Sequence, residues 1–130
     1  MDAGVLIAAY VGDVKDTIPA RAVLDDPSRA FVASSFLSLE VLPKARFHRR
    51  DREAEFYRSF FALATVWVEP TKSLLQSAAF QAETYGLAAM DALHVAAALA
   101  GNASELITTE KLSKPIHRVK ELVIRSLHAA

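Results

Sequence analysis

The sequence predicts a three-layer α/β sandwich in which a parallel sheet lies between helices. Short apolar runs rich in β-branched and aromatic residues recur at Ala30–Ala33, Thr65–Val68, Leu106–Thr109 and Leu122–Leu127, the composition of strands. Between them lie longer stretches with helical periodicity, and strands separated by helices require crossovers, which make neighbouring strands parallel. The 130 residues are 52% hydrophobic with only four glycines and five prolines, enough for one packed core and too little chain for two domains. The reading is therefore a single domain over 1–130, without repeat, low-complexity stretch or linker.

Each element has its own local reason. Val5–Tyr10 reads as a short apolar helix and Thr17–Leu24 as a more amphipathic one. The Ala30–Ala33 strand runs into Ser34 and Ser35, side chains suited to cap a following helix. That helix, Phe36 to about Arg50, must kink at Pro43 or hold it near its start. Asp51–Leu63 carries a stripe at Phe56, Phe60 and Leu63. After the Thr65–Val68 strand, Leu74–Tyr85 is helical and Gly86 is its stop. Leu87–Ala100 is a helix of small residues closed by Gly101 and Asn102, ahead of the last two strands.

Charge and composition exclude several functions. Net charge is zero, so attraction to nucleic acid must come from a local basic patch rather than the whole surface. With no cysteine there is no disulfide, thiolate zinc site or thiol nucleophile. The N-terminal residues lack the basic start of a signal peptide, and no apolar run reaches membrane-spanning length. The expectation is a cytoplasmic protein.

Three acids stand out against apolar surroundings. Glu40 lies in Phe36-Leu-Ser-Leu-Glu-Val-Leu42, Asp91 is the only formal charge between Glu83 and Glu105, and Asp2 is the only one before Asp13. An ionised carboxylate in an apolar setting costs several kcal/mol unless it is paired, metal-bound or protonated. None of the three has a cationic neighbour in sequence. Asp2 precedes the first helix, Glu40 follows the Ala30–Ala33 strand by a turn or two, Asp91 is in the first turns of its helix and Glu110 follows the Leu106–Thr109 strand, so all four can converge on the edge beyond the carboxyl ends of parallel strands, where ligands collect. Clustered carboxylates repel unless a cation neutralises them, and hard oxygen donors without thiols favour Mg²⁺ or Mn²⁺. Such a site suits phosphoryl transfer. Simpler explanations exist one residue at a time. Asp2 can cap a helix, Asp91 can complement a helix dipole, and Glu110 beside Lys111 can be an ordinary surface acid. Glu40 has no such excuse, because Glu is rarely buried unpaired. His94, one turn after Asp91, shares its helix face and reads as a packing or supporting residue. Met90 and Trp67 read as core or interface.

At these residues the sequence resembles the PIN-domain family, in particular the VapC-like toxins of toxin–antitoxin pairs. The matching segments are Asp2-Ala-Gly-Val-Leu-Ile-Ala-Ala-Tyr, Ser38-Leu-Glu40-Val-Leu, Asp91-Ala-Leu-His-Val-Ala-Ala-Ala and Leu106-Ile-Thr-Thr-Glu110. The resemblance implies a parallel five-stranded sheet flanked by helices and a Mg²⁺- or Mn²⁺-dependent endoribonuclease. It makes Asp2, Glu40, Asp91 and Glu110 the catalytic and metal-binding acids, with Thr108 or Thr109 supporting them by hydrogen bonding. By the same analogy it implies a homodimer and a small antitoxin partner. Two departures are visible. The family places a short apolar strand before its first Asp, whereas only Met1 precedes Asp2, so either the start codon is assigned too late or the first strand is truncated to a stub. The fourth acid is usually Asp, and here it is Glu110.

The densest basic cluster is Lys44, Arg46, His48, Arg49, Arg50 and Arg52. Lys44, Arg46, Arg49 and Arg50 are candidates for contacting the RNA backbone that the acids repel; a solvated helix surface explains them equally well. Lys111, Lys114, His117, Arg118 and Lys120 form a second scatter after Glu110. A catalytically inactive RNA-binding or regulatory domain of the same family is the alternative function. A receiver-type signalling domain shares the length and architecture, but the Thr65–Val68 strand ends in Glu69-Pro70 without the phosphoacceptor Asp that fold needs.

Overall fold

The computed structural model describes residues 3–11 and 14–127. Among these residues six α-helices, in pairs, and four short strands follow one another: α1 (Ala3–Val11), α2 (Val14–Asp25), β1 (Val32–Ser34), α3 (Ser35–Phe47), α4 (Asp51–Leu63), β2 (Val66–Val68), α5 (Lys72–Tyr85), α6 (Ala89–Ala100), β3 (Glu105–Thr108) and β4 (Val123–Ser126). A single 3-10 turn, Pro115–Arg118, precedes β4. Each helix and strand expected between Val5 and Leu127 is present, with ends shifted by at most three residues and α4 matched at both ends.

The caps explain several boundaries. Ser34 ends β1 and starts α3, its hydroxyl accepting the Leu37 N–H at 3.1 Å. Thr71 does the same for α5 through Leu74 at 3.0 Å, and Gly86 closes α5 at φ +69°, the left-handed conformation in which a missing Cβ costs nothing. Helix α3 stops at Phe47, short of the expected Arg50, because Arg49 turns left-handed (φ +53°). There the Arg50 N–H reaches back to the Ala45 carbonyl at 2.9 Å and the Arg49 N–H to that of Arg46 at 3.0 Å, a Schellman closure. Asn102 (φ +55°) closes α6 in the same way, with Ala103 on Ala98 at 2.9 Å. Pro43 lies inside α3. It falls on the exposed side with Leu39, whose carbonyl loses its ordinary donor to the ring. Helix α6 starts at Ala89 rather than Leu87, leaving Leu87 to bury itself just ahead of the helix.

Successive strand residues point to opposite faces, and this sorts the core. Val32 and Leu106 join Val68, Leu74, Ala92 and Val95 in a cluster under α5 and α6. Ala33 packs with Leu6, Leu37, Val41, Tyr57 and Phe60, and Ile107 with Val5, Ala9, Ala20 and Val23. Helices α1 to α4 therefore cover one face and α5 and α6 the other, and removing each large aliphatic side chain from water contributes about 1.5–3 kcal/mol. On α4 the buried face is Glu53, Ala54, Tyr57 and Phe60, with Phe56 half-buried; Leu63, expected on that stripe, is the last residue of the helix and is exposed.

The sheet itself corrects one expectation. Instead of five continuous strands, the described residues hold two parallel pairs: β1 on β2, with Val32 opposite Val66, and β3 on β4, with Glu105 opposite Val123. No ladder joins β1 to β3 among the described residues. Between them lies a partly open slot of about 380 Å³. The expectation of a truncated first strand falls on Met1 and Asp2, outside the described residues.

Candidate functional site

Helices α3 and α6 meet across β1, and their contact brings together two polar side chains set in otherwise apolar segments. Glu40, half-buried on α3, accepts a hydrogen bond at one carboxylate oxygen from Nε2–H of His94, which is only 5% exposed on α6. The imidazole thus gains the partner that a buried polar group requires. Asp91 lies one turn before His94 on the same face, about 4.5 Å along the helix axis at 1.5 Å per residue. It is half-buried in the first turn of a helix whose N-cap, Ala88, offers no side-chain cap, so its charge also complements the helix dipole.

The end of β3 contributes the other candidates. Thr108 is wholly buried and its hydroxyl accepts the Glu110 N–H at 3.0 Å, fixing the turn that follows the strand. His117 Nε2 lies 3.0 Å from the Glu110 carbonyl oxygen and braces that turn from the other side. Glu110 and Thr109 are half-buried. Asp2 lies outside the described residues.

The acids here offer carboxylate oxygens, hard donors that suit Mg²⁺ or Mn²⁺, while the imidazole Nε2 of His94 is taken up by Glu40. Glu40 uses one oxygen on His94 and keeps the other, the arrangement expected of a ligating carboxylate oriented by a hydrogen bond. Among the described residues no three acid or histidine side chains gather closely enough to hold a metal ion. The chemistry of Glu40 and Asp91 thus fits a divalent cation, and completing its shell calls for donors beyond this described set.

The basic candidates Lys44, Arg46, Arg49 and Arg50 are all exposed, in the last turn of α3 and the loop after it. Arg50 also approaches Glu53 at 3.7 Å. Of the second scatter, Arg118 donates to the Tyr85 carbonyl at 3.2 Å.

Sequence reading placed His94 beside Asp91 and missed its bond to Glu40. The available signal was that each is a polar group of complementary type flanked by apolar residues on its helix, 54 residues apart. Also missed was Arg29, which donates to Glu105 at 2.6 Å and ties the approach to β1 to the start of β3. Two acids form hydrogen bonds away from these residues. Glu53 accepts the phenol of buried Tyr57 at 2.8 Å, and burial together with that bond pushes the Tyr57 pKa up. Glu121 accepts from Tyr85 and Gln81, which holds its carboxyl below the ordinary range.

No curated protein matches the chain. Among the described residues no helix is long and apolar enough to cross a membrane. The PIN domain family, in contrast, matches residues 1–118. PIN domains are generally nucleases, acting on RNA or DNA and typically using divalent metals. With the match extending over all but the last twelve of 130 residues, from α1 through the 3-10 turn, the chain belongs to the PIN domain family.

Proposed function

We propose that this protein is a metal-dependent endoribonuclease that hydrolyses RNA phosphodiester bonds, acting as a single domain over residues 1–130. The observation that carries the reading is the Glu40–His94 pair one helical turn from Asp91. It orients one lone acid beside another at the edge where both helices meet the sheet. Asp2, Glu40, Asp91 and Glu110 are the acids that would hold Mg²⁺ or Mn²⁺. When bound, such an ion neutralises phosphate charge and lowers the pKa of water. His94 positions the Glu40 carboxylate, Thr108 fixes the turn that presents Glu110, and Thr109 lies between them. Lys44, Arg46, Arg49 and Arg50 would draw in the RNA backbone, so binding should weaken with salt.

The resemblance to VapC-like toxins extends the proposal to a cytoplasmic, homodimeric toxin held in check by a small antitoxin protein. Glu110 in the place where the family usually has Asp allows one alternative, a PIN-like domain that binds RNA or regulates without cleaving it. Incubation of varied RNAs with Mg²⁺, Mn²⁺ or EDTA, for wild type, Asp91→Asn and Glu40→Gln, decides between them. Metal-dependent cleavage lost in both variants supports the nuclease. Binding without cleavage by wild type supports the alternative, and activity retained in both variants shows that the acids are misassigned.

A further inference from the structure

Helix α3 carries one face from the candidate acids out to an open end. At 3.6 residues per turn, Glu40, Lys44 and Phe47 follow one another on the same side of the helix. Phe47 lies about 10.5 Å beyond Glu40 along the axis, at 1.5 Å per residue. At Glu40 that face meets α6 through His94, whereas at Phe47 it is open and the phenylalanine is 81% exposed. His48 stands edge-on to the Phe47 ring, with centroids 5.1 Å apart and planes at 85°, the T-shaped geometry that aromatic pairs prefer. Around this ring, Val41 to Arg50 holds four cations, Lys44, Arg46, Arg49 and Arg50, and no acid, in a chain whose net charge is zero. Arg50 approaches Glu53 at 3.7 Å, while Lys44, Arg46 and Arg49 are exposed and form no ion pair among the described residues. Arg49 sits at φ +53°, where glycine would be accommodated at less cost, so the turn keeps a charged side chain against the backbone's preference.

The chemistry of this end of α3 specifies its occupant. An exposed ring alone would suit a protein partner, but four cations without an acid complement a polyanion. A nucleic-acid strand supplies both complements at once, phosphates for the cations and base faces for the ring. A base inside a duplex is already stacked on its neighbours, so a side-chain ring takes its base from a single strand. We propose that Phe47, braced by His48, is a stacking platform for one base of single-stranded RNA, with Lys44, Arg46 and Arg49 on the adjoining phosphates. From this platform the strand runs along α3 toward Glu40. Resting on the nuclease reading for RNA as the ligand, the platform adds that the substrate is unpaired and is gripped by a base face. Because every base has a π-face, the grip at this position is indifferent to base identity.

The test is the affinity of the full chain for a labelled single-stranded RNA of about twelve nucleotides. Fluorescence anisotropy measures it at low salt in EDTA, where metal-dependent cleavage is stopped. Phe47→Leu keeps apolar bulk without the π-face and should raise Kd about five- to 150-fold, the range of one lost base stack. Phe47→Tyr keeps the π-face and should bind within about twofold of wild type. An abasic strand of the same length and a fully paired RNA should each bind wild type and Phe47→Leu alike, through phosphates alone. Unchanged affinity of Phe47→Leu for the single strand overturns the platform, as does an equal loss on the abasic strand or no binding by wild type. Sedimentation velocity on the same samples reads the other occupant. If Phe47→Leu turns a dimer into a monomer while its RNA affinity holds, the face belongs to a second copy and the platform is overturned. Cleavage by wild type in Mn²⁺ is read separately. Cleavage alongside Phe47-independent binding refutes the platform and leaves the nuclease reading, whereas Phe47-dependent binding without cleavage supports the platform and refutes the nuclease.

Discussion

The contact between Glu40 and His94 separates a structural from a chemical role in one pair of variants. His94 is 5% exposed and has its Nε2 on the Glu40 carboxylate. Truncation in Glu40→Ala leaves that nitrogen without its partner inside the α3–α6 contact. A buried polar group stripped of its partner costs about 1–3 kcal/mol. For a chain of this size each kcal/mol is worth roughly 4 °C in Tm, so Glu40→Ala should melt roughly 4–12 °C below wild type. Glu40→Gln keeps the length and an acceptor oxygen for the imidazole, and should stay within about 1 kcal/mol of wild type, or roughly 4 °C. Thermal unfolding by circular dichroism measures both, and RNA cleavage with Mn²⁺ is measured on the same samples below either Tm. If the carboxylate charge serves the chemistry, both variants lose cleavage although only one loses much stability. Equal melting of Glu40→Ala and wild type would refute the claim that Glu40 holds His94. Full cleavage by a well-folded Glu40→Gln would refute its role as an essential charged ligand.

Three other outcomes follow from the packing. A Cβ at Gly101 would come within 2.5 Å of Val32 Cγ1, and valine has little rotamer freedom with which to yield; Gly101→Ala should therefore cost about 1–3 kcal/mol by urea denaturation, with a clearly smaller cost in a Val32→Ala background. Arg49 occupies the left-handed region at φ +53°, so Arg49→Gly should gain up to about 1 kcal/mol in the same measurement, while RNA binding at low salt weakens if Arg49 contacts phosphate. The Tyr57 phenol has its pKa raised in the native state, by burial first and by the Glu53 bond second. Its contribution is thus full below the unfolded value near pH 10 and is lost as pH rises through the higher native value. The fall in stability above about pH 10 should be shallower for Tyr57→Phe than for wild type, and an unchanged alkaline slope would show that the phenol ionises alike in both states.

What the sequence determined by itself is the local content and its order. Helix periods, the capping side chain at Ser34 and β-branched runs all act within a few residues of one another, so they are legible without the fold. The alternation of strands and helices then leaves parallel pairing as the consequence, and the acids at Glu40 and Asp91 stand out because an apolar helix has no local use for them. Left-handed closure is less legible. Gly86 takes it as glycine should, but at the end of α6 it passes from Gly101 to Asn102, because Gly101 is used for its lack of a side chain against Val32. Tertiary structure alone decided the long-range partners: His94 with Glu40 across 54 residues, and Arg29 with Glu105 across 76. It also decided that the sheet divides into β1–β2 and β3–β4 with a slot between. Each strand's own pattern satisfies its helix-facing sides, whereas edge pairing depends on which backbone lies alongside, and no side-chain pattern encodes that neighbour.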